Sequence, residues 1–227
     1  QSRFTINQRF GFVSDMVTML TKGDQASVVV CGPGGLGKSH TVTASLEKSG
    51  LTDVSLLDEM EVGATINTKK AYRVVKGYST PKGLYRTLYD NRDGVIVFDD
   101  CDSVLEDKVA LNILKSALDS YETRQISWMA KMNRNDEYPQ HFNFTGRIIF
   151  ISNLKKEKLD PDGAIRSRSL IIDVSPDDMT IMERMKRMLK FMEPMNMSIE
   201  EKEEVFEYIK DSKNVSMRTF VKAAMFK

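Results

Sequence analysis

The chain has 227 residues, of which 41% are hydrophobic and 29% are charged. That balance is ordinary for a globular protein, and the length suffices for one α/β core with a small appended lobe. Lys and Arg number 33 against 32 Asp and Glu, so no net charge draws the chain to nucleic acid or membrane.

No apolar run approaches the roughly 18 residues that span a bilayer, and the first residues do not resemble a signal peptide. We therefore expect a cytoplasmic protein with no membrane partner. The sequence begins with Gln1 rather than Met, so we expect the natural chain to carry residues before it. Cys31 and Cys101 each end an apolar run, which predicts two small core residues in a reducing compartment. With only two histidines and no cysteine cluster, we expect no Cys/His metal site.

Strands and helices alternate through the first three quarters of the chain. Apolar runs predict five strands, at Ser27–Cys31, Tyr72–Val75, Val95–Phe98, Arg147–Ile151 and Leu170–Val174. Helical patterns lie between them, at Ser39–Lys48, Lys82–Asp90 and Val104–Tyr121. This alternation predicts the α/β class, with a doubly wound, parallel, five-stranded sheet.

From about Pro176 the pattern is helical only. The predicted helices are Met179–Phe191, Ser198–Asp211 and Ser216–Phe226. Met182, Met185, Met188, Met192 and Met195 recur at helical spacing, which is typical of a core or interface face. We therefore divide the chain into an α/β core at 1–175 and a helical lid at 176–227.

A glycine-rich phosphate loop follows the first predicted strand directly. Residues 32–39 match the pattern G-x-x-x-x-G-K-S, with a strand before and a helix after, as this motif requires. Backbone N–H groups of such a loop bind phosphate oxygens, the lysine reaches the β- and γ-phosphates, and the hydroxyl ligates Mg²⁺. The candidate nucleotide-binding residues are Gly32, Pro33, Gly34, Gly35, Leu36, Gly37, Lys38, Ser39 and His40.

Acidic residues end the third predicted strand, where Val95–Phe98 is followed by Asp99 and Asp100. Asp99 is the candidate Mg²⁺ residue beside Ser39, and Asp100 is the candidate base for the attacking water. The plain alternative is a solvated acidic turn. Asp102 is a third nearby acid, either a helix N-cap or a supporting group.

The fourth predicted strand ends in Ser152 and Asn153. An asparagine after a strand is by itself only a turn residue. After the two preceding motifs, Asn153 becomes a candidate for holding the attacking water against the γ-phosphate.

This order of motifs resembles the AAA+ ATPases, and more loosely their phage-encoded members. The segments that carry the resemblance are GPGGLGKS, VIVFDD, IFISN, AIRSRS and SMRTF, which together span nearly the whole chain. The resemblance implies that Asn153 is sensor 1 and Arg218 is sensor 2 of the lid. It also implies that Arg168 is the arginine finger entering a neighbouring subunit's site, with Arg166 as the alternative or assistant. Surface charge at a helix end is the other interpretation of these arginines.

The sequence departs from the family at one position of the second motif. The family has Asp-Glu where this chain has Asp99-Asp100. Asp is one methylene shorter than Glu, so we expect nucleotide binding to be more secure than fast hydrolysis.

Two segments are candidates for contact with a macromolecular substrate. In the family a pore loop projects after the second strand, which makes Lys76 and Tyr78 the candidates here, against a tyrosine that packs on its own turn. The polar insertion Glu122–Thr145 contains Trp128, Arg124, Lys131 and Arg134. Such residues bind single-stranded nucleic acid, but they also form subunit contacts or cap a sheet.

The resemblance implies a Mg²⁺-dependent ATPase that takes ATP and Mg²⁺ and works as a homo-oligomer, a hexameric ring being expected. Its activity would remodel or translocate a polymer, with protein slightly favoured. Two alternatives stay open: a DNA-directed ATPase of phage replication, recombination or packaging, acting in the host cytoplasm, and an ATP-gated assembly protein with slow hydrolysis. A small-molecule kinase is more distant, because no acceptor site is evident.

Overall fold

The computed structural model describes residues 4–57, 66–77, 80–128, 138–155, 159, 163, 165–175, 180–194, 196–212 and 215–226. Its strands are β1 Ser27–Cys31, β2 Thr52–Asp53, β3 Ala71–Lys76, β4 Val95–Asp99, β5 Arg124–Ser127, β6 His141–Phe144, β7 Arg147–Ser152 and β8 Leu170–Asp173. Its α-helices are α1 Ile6–Lys22, α2 Lys38–Lys48, α3 Pro81–Asp90, α4 Ser103–Glu106, α5 Lys108–Ala117, α6 Thr180–Met188, α7 Ile199–Ile209 and α8 Met217–Ala224. None of these helices is long and apolar enough to cross a bilayer.

Within the described residues, one parallel sheet has the strand order β2-β3-β4-β7-β1-β8. The five predicted strands are all present. The two-residue strand β2, which no apolar run in the sequence predicts, adds a sixth strand at one edge. The central strands β1 and β4 are buried along their whole length, as expected for a sheet covered on both faces. The predicted doubly wound α/β fold is therefore confirmed.

Two apolar clusters cover the two faces of the sheet. Helices α1 and α2 pack on one face, where Phe10, Val42 and Leu46 meet Val28 and Val30 of β1. Helices α3 and α5 pack on the other face, against Phe98 and Phe150, whose ring centroids lie 5.7 Å apart. Cys31 and Cys101 are buried among these residues, as the apolar runs predicted.

Helix α1 was not anticipated from the sequence. Thr5 caps it, with a capping box to Gln8, and it ends at Gly23 in the left-handed conformation. Its buried residues recur at helical spacing and are Ile6, Arg9, Phe10, Val13, Val17 and Leu20. The T-x-x-Q pattern before this periodic run was a usable signal.

The predicted helix Val104–Tyr121 is instead two helices, α4 and α5, separated at Asp107. Asp107 has an extended backbone (φ −86°, ψ 120°), and its carboxylate accepts hydrogen bonds from the N–H groups of Val109 and Ala110. An N-cap aspartate therefore restarts the helix, which ends at Ala117.

The polar insertion contributes an antiparallel hairpin of β5 and β6 to the described part of the chain. Trp128 packs against Tyr85, whose hydroxyl donates to the Pro139 carbonyl at 2.7 Å. Arg124 is only 4% exposed, lies over the Phe144 ring and donates to the Gly146 carbonyl. Burial lowers the pKa of Arg124 to about 10. Arg124 is thus a structural residue of the hairpin, while Lys131 and Arg134 lie outside the described residues.

The C-terminal helices α6, α7 and α8 form a separate apolar cluster. Its buried members are Met185, Leu189, Met192, Val205, Phe206, Ile209, Phe220 and Ala224. Met182 and Met188 pack against it, and Met195 lies outside the described residues. Most of the predicted methionine stripe therefore forms the core of these helices.

Replacing Phe150 by alanine should destabilise the fold by about 3–5 kcal/mol, because it leaves a cavity beside Phe98 in the middle of the sheet. Tyr121→Ala is the matched control, since Tyr121 is 71% exposed, and it should change stability by less than about 0.5 kcal/mol. Urea unfolding followed by circular dichroism measures both variants. Equal losses would contradict the placement of Phe150.

Candidate nucleotide-binding site

The order of the strands brings the three predicted motifs to one edge of the sheet. β7 lies between β1 and β4, and all three run parallel, so their carboxyl ends meet. The phosphate loop follows β1, Asn153 follows β7, and Asp100 follows β4. Residues far apart in sequence thereby become neighbours.

The phosphate loop turns through backbone conformations that favour glycine. Gly35 and Gly37 have φ of +77° and +85°, and α2 begins at Lys38 directly after Gly37. A Cβ on Gly35 would lie 2.9 Å from the Cβ of Ser216, so space as well as conformation excludes a side chain there. The loop thus places backbone amides and a helix N-terminus together, which suits a phosphate group.

The ammonium group of Lys38 closes this loop from inside. Lys38 is 5% exposed, and its Nζ donates to the carbonyls of Gly32 (2.7 Å) and Pro33 (2.8 Å) and to Asn153 Oδ1 (2.9 Å). Burial lowers the pKa of Lys38, and the nearby carboxylates of Asp100 and Asp99 offset part of that shift. All three ammonium protons have acceptors at the sheet edge.

The side chain of Asn153 connects that lysine to an acid. Its Oδ1 accepts from Lys38, and its Nδ2 donates to Asp100 Oδ1. Asp100 has a left-handed backbone (φ +58°), a conformation that few residue types other than glycine adopt readily, and its N–H donates to the Ile151 carbonyl at 3.1 Å. Lys38, Asn153 and Asp100 therefore form one hydrogen-bonded chain.

Ser39 and Asp99 supply adjacent oxygen atoms beside this chain. Ser39 Oγ donates to Asp99 Oδ1 at 3.0 Å, and Lys76 Nζ lies 3.5 Å from Asp99 Oδ2. A hydroxyl and a carboxylate fit Mg²⁺, which is commonly held by few protein oxygens together with substrate phosphates and water. Within the described residues, no group of three or more His, Cys, Asp or Glu forms an all-protein metal site.

Asp102 and Cys101 lie behind the acidic pair. Asp102 precedes α4, but its side chain makes no N-cap hydrogen bond, and its Oδ1 atom is buried without a hydrogen-bond partner in the described part of the chain. Burial raises the pKa of Asp102, and the nearby Ser152 side chain and Asn153 backbone offset part of that shift. Burial also raises the pKa of Cys101 to about 11, which leaves its thiol protonated and inert. The side chain of Asp102 is therefore not the N-cap of α4.

A cavity of about 500 Å³ opens over these residues. Its walls include Lys38, Ser39, His40, Asp99, Asp100 and Asn153, together with Lys76, Arg218 and Lys222. Arg218 and Lys222 lie one turn apart on α8, so the C-terminal helices face the phosphate loop with two positive charges. Lys222 was missed by the sequence reasoning, although its spacing from Arg218 was a usable signal. Lys76, predicted for a pore loop, has its ammonium group at this cavity.

The other predicted residues lie elsewhere. Arg166 and Arg168 precede β8 at its amino end, the edge of the sheet opposite the phosphate loop, and neither lines the cavity. Arg166 is exposed and Arg168 partly exposed. Tyr78 lies outside the described residues. Arg184 of α6, which no sequence pattern indicated, is buried against the phosphate loop.

Comparison with known proteins finds a curated relative and many similar solved structures. No family model matches the sequence. A curated relative is an uncharacterized 36.7 kDa protein from the nrdC–mobD intergenic region of Enterobacteria phage T4, 29% identical over 241 residues, covering 97% of this chain and 69% of the relative.

Among solved structures, a mutant of RuvB from Thermotoga maritima matches with a TM-score of 0.49 and 13% identity, over 97% of this chain and 69% of that one. The AAA domain of FIGL-1 matches with a TM-score of 0.45 and 14% identity, over 95% of this chain and 78% of that one. The strand order, the phosphate loop and the C-terminal helices together define a P-loop α/β fold followed by a helical cluster, as the sequence predicted.

Gly35→Ala should weaken ATP binding at least about tenfold, because the new methyl group meets Ser216 and distorts the loop. Gly50→Ala is the matched control: Gly50 also has a positive φ (+82°), but nothing lies within 4 Å of its Cβ position. Both changes should cost about 1–2 kcal/mol of stability from the backbone conformation. Calorimetric titration with ATP separates them, and equal affinities would contradict the close approach.

Proposed function

We propose that this protein is an ATP-binding and ATP-hydrolysing AAA+ module that works as a homo-oligomer, with an α/β core at 1–175 and a helical lid at 176–227. The proposal rests on the hydrogen bonds that join Lys38, Asn153 and Asp100. They lie beside the hydrogen-bonded pair Ser39–Asp99, in one cavity at the carboxyl edge of the sheet. A phosphate-binding lysine, a polar amide and an acid are thereby held within reach of one reacting group.

The proposed chemistry is phosphoryl transfer to water. Amides of the loop and the ammonium of Lys38 bind the β- and γ-phosphates, where the carbonyls and Asn153 now accept its protons. Ser39 and Asp99 would hold Mg²⁺, which would neutralise charge on the phosphates. Asp100 accepts the proton of the attacking water, and Asn153 orients that water between the acid and the γ-phosphate.

Asp100→Asn should lower ATP turnover by about 10²–10⁴-fold, because the amide cannot accept a proton from water. ATP affinity should stay within about threefold, since the change leaves Lys38 and the loop intact. Asp24→Asn, at an exposed acid far from the cavity, is the control and should behave as wild type. A phosphate-release assay and a titration with labelled ATP measure the two quantities. Unchanged turnover in Asp100→Asn would show that another group is the base.

Arg168 is proposed to complete the site of a neighbouring subunit. It lies at the amino end of β8, so it is remote from the phosphate loop of its own chain. A permanently charged, forked guanidinium suits the γ-phosphate of a second chain. Arg166, exposed beside it, is the assistant. We expect a hexameric ring to bring the two edges together.

ATP turnover per subunit should rise with protein concentration in wild type. In Arg168→Ala it should stay flat, about 10³-fold below the wild-type turnover at saturation. Arg86→Ala is the control, since Arg86 is an exposed arginine of α3 paired with Asp90. Sedimentation at the same concentrations checks that both variants still assemble. Turnover independent of concentration in wild type would contradict shared sites.

Coupling of turnover to remodelling or translocation of a polymer is the proposed biological role, with protein slightly favoured as the substrate. The candidate residue for contact with that polymer is Tyr78, and the variant Tyr78→Ala would test it. Similarity to a phage T4 protein supports a phage-encoded protein acting in the host cytoplasm, and a DNA-directed role is the alternative. Burial of Arg124 removes one basic residue from the proposed DNA contacts.

ATP-gated assembly with slow hydrolysis is a second candidate function. It is favoured by Asp100, a short acid whose carboxylate is already hydrogen-bonded to Asn153 and whose backbone is left-handed. ATP would then act mainly by joining subunits, and assembly with ATP would occur without appreciable turnover.

A further inference from the structure

The C-terminal helices hold two consecutive peptide carbonyls of the phosphate loop. The N–H of Met217, the first residue of α8, donates to the Gly35 carbonyl at 3.2 Å. Arg184 Nε, from α6, donates to the Leu36 carbonyl at 3.4 Å. Two different helices therefore donate hydrogen bonds to adjacent peptide units of one loop.

Arg184 is embedded in the core although it carries a charge. It is 5% exposed, its Nη2 donates to Thr41 Oγ1 at 3.3 Å, and its guanidinium carbon lies 3.4 Å from the centroid of the Phe10 ring. It thereby contacts α1, the phosphate loop and α2 from α6. Burial lowers the pKa of Arg184 to about 10.

A buried guanidinium is an unfavourable way to fill space, because taking it out of water costs free energy that an apolar side chain avoids. What the guanidinium provides is a planar fork that donates in two directions while stacking on an aromatic ring. Here the two directions end on the loop carbonyl of Leu36 and on Thr41, in the first turn of α2. The side chain thus fixes the loop relative to the helix that follows it.

Fixing these carbonyls also aims the amides of the loop. In a planar trans peptide unit the C=O and the next N–H point in opposite directions. The bond to the Gly35 carbonyl therefore directs the N–H of Leu36 away from the C-terminal helices, and the bond to the Leu36 carbonyl does the same for Gly37. Those amides belong to the loop that receives the phosphates.

We propose that Arg184 is a positioning residue that, with the Met217 N–H, holds the phosphate loop in its binding-competent shape from the lid side. A change in the angle of the lid then alters the loop amides directly, and binding of phosphate to the loop biases the lid through the same two bonds. The part of this inference that concerns nucleotide rests on the proposed function; the part that concerns loop shape does not.

The test compares Arg184→Met with Arg187→Met, which changes an exposed arginine of the same helix. Without nucleotide, ¹⁵N relaxation of the Leu36 and Gly37 amides should show increased mobility in Arg184→Met and wild-type values in Arg187→Met. With ATP, the Kd of Arg184→Met should rise about tenfold, while kcat at saturating ATP changes less than about threefold. Phe10→Leu removes the aromatic surface beneath the guanidinium but keeps a large apolar side chain in the core, so it should give a smaller shift in the same direction, even if Arg184→Met folds poorly.

Rigid loop amides and an unchanged Kd in Arg184→Met, or a lower melting temperature as the sole effect, would overturn the inference and leave Arg184 a packing residue. Failure of wild type to bind ATP would instead overturn the proposed function. In that case the relaxation data without nucleotide still decide whether Arg184 holds the loop.

Discussion

The candidate site depends on the two hydrogen bonds that the side-chain amide of Asn153 makes. It accepts from Lys38 and donates to Asp100, so it fixes both the phosphate-binding lysine and the proposed base. This geometry follows from the strand order, because β7 inserts between the strand that leads into the phosphate loop and the strand that ends in the acids. A different neighbour for β1 would leave Lys38 and Asp100 without a common partner.

Charge is distributed around that bridge in a way that suits a polyanion. Lys38 lies inside the loop, Lys76 approaches from β3 beside Asp99, and Arg218 and Lys222 face the cavity from α8. The two acids lie between these cations, where a divalent ion and a reacting water would be needed. The C-terminal helices therefore contribute charge to the cavity, and through Arg184 and Met217 they also contact the loop backbone.

Local signals predicted much of the architecture. The five main strands and the phosphate loop were readable because buried parallel strands are continuous apolar runs and because glycines are required where φ is positive. Helix α1 carried a readable cap and periodicity that were overlooked. The break at Asp107 was less evident, since an aspartate inside an amphipathic pattern serves equally as a surface residue or an N-cap. Arg124 was a candidate for contact with nucleic acid, whereas in the fold its side chain is buried over the Phe144 ring within the hairpin.

The sequence by itself determined the phosphate loop, the acids after β4 and the α/β class, because each depends on the conformational and chemical preferences of a few adjacent residues. Tertiary structure alone decided the order of the strands, the bridge made by Asn153, the placement of Arg168 at the opposite edge of the sheet and the burial of Arg184. Those features depend on which distant segments pack together. An arginine on an amphipathic helix has the same local pattern whether it faces water or a loop carbonyl, so only the packed fold distinguishes the two.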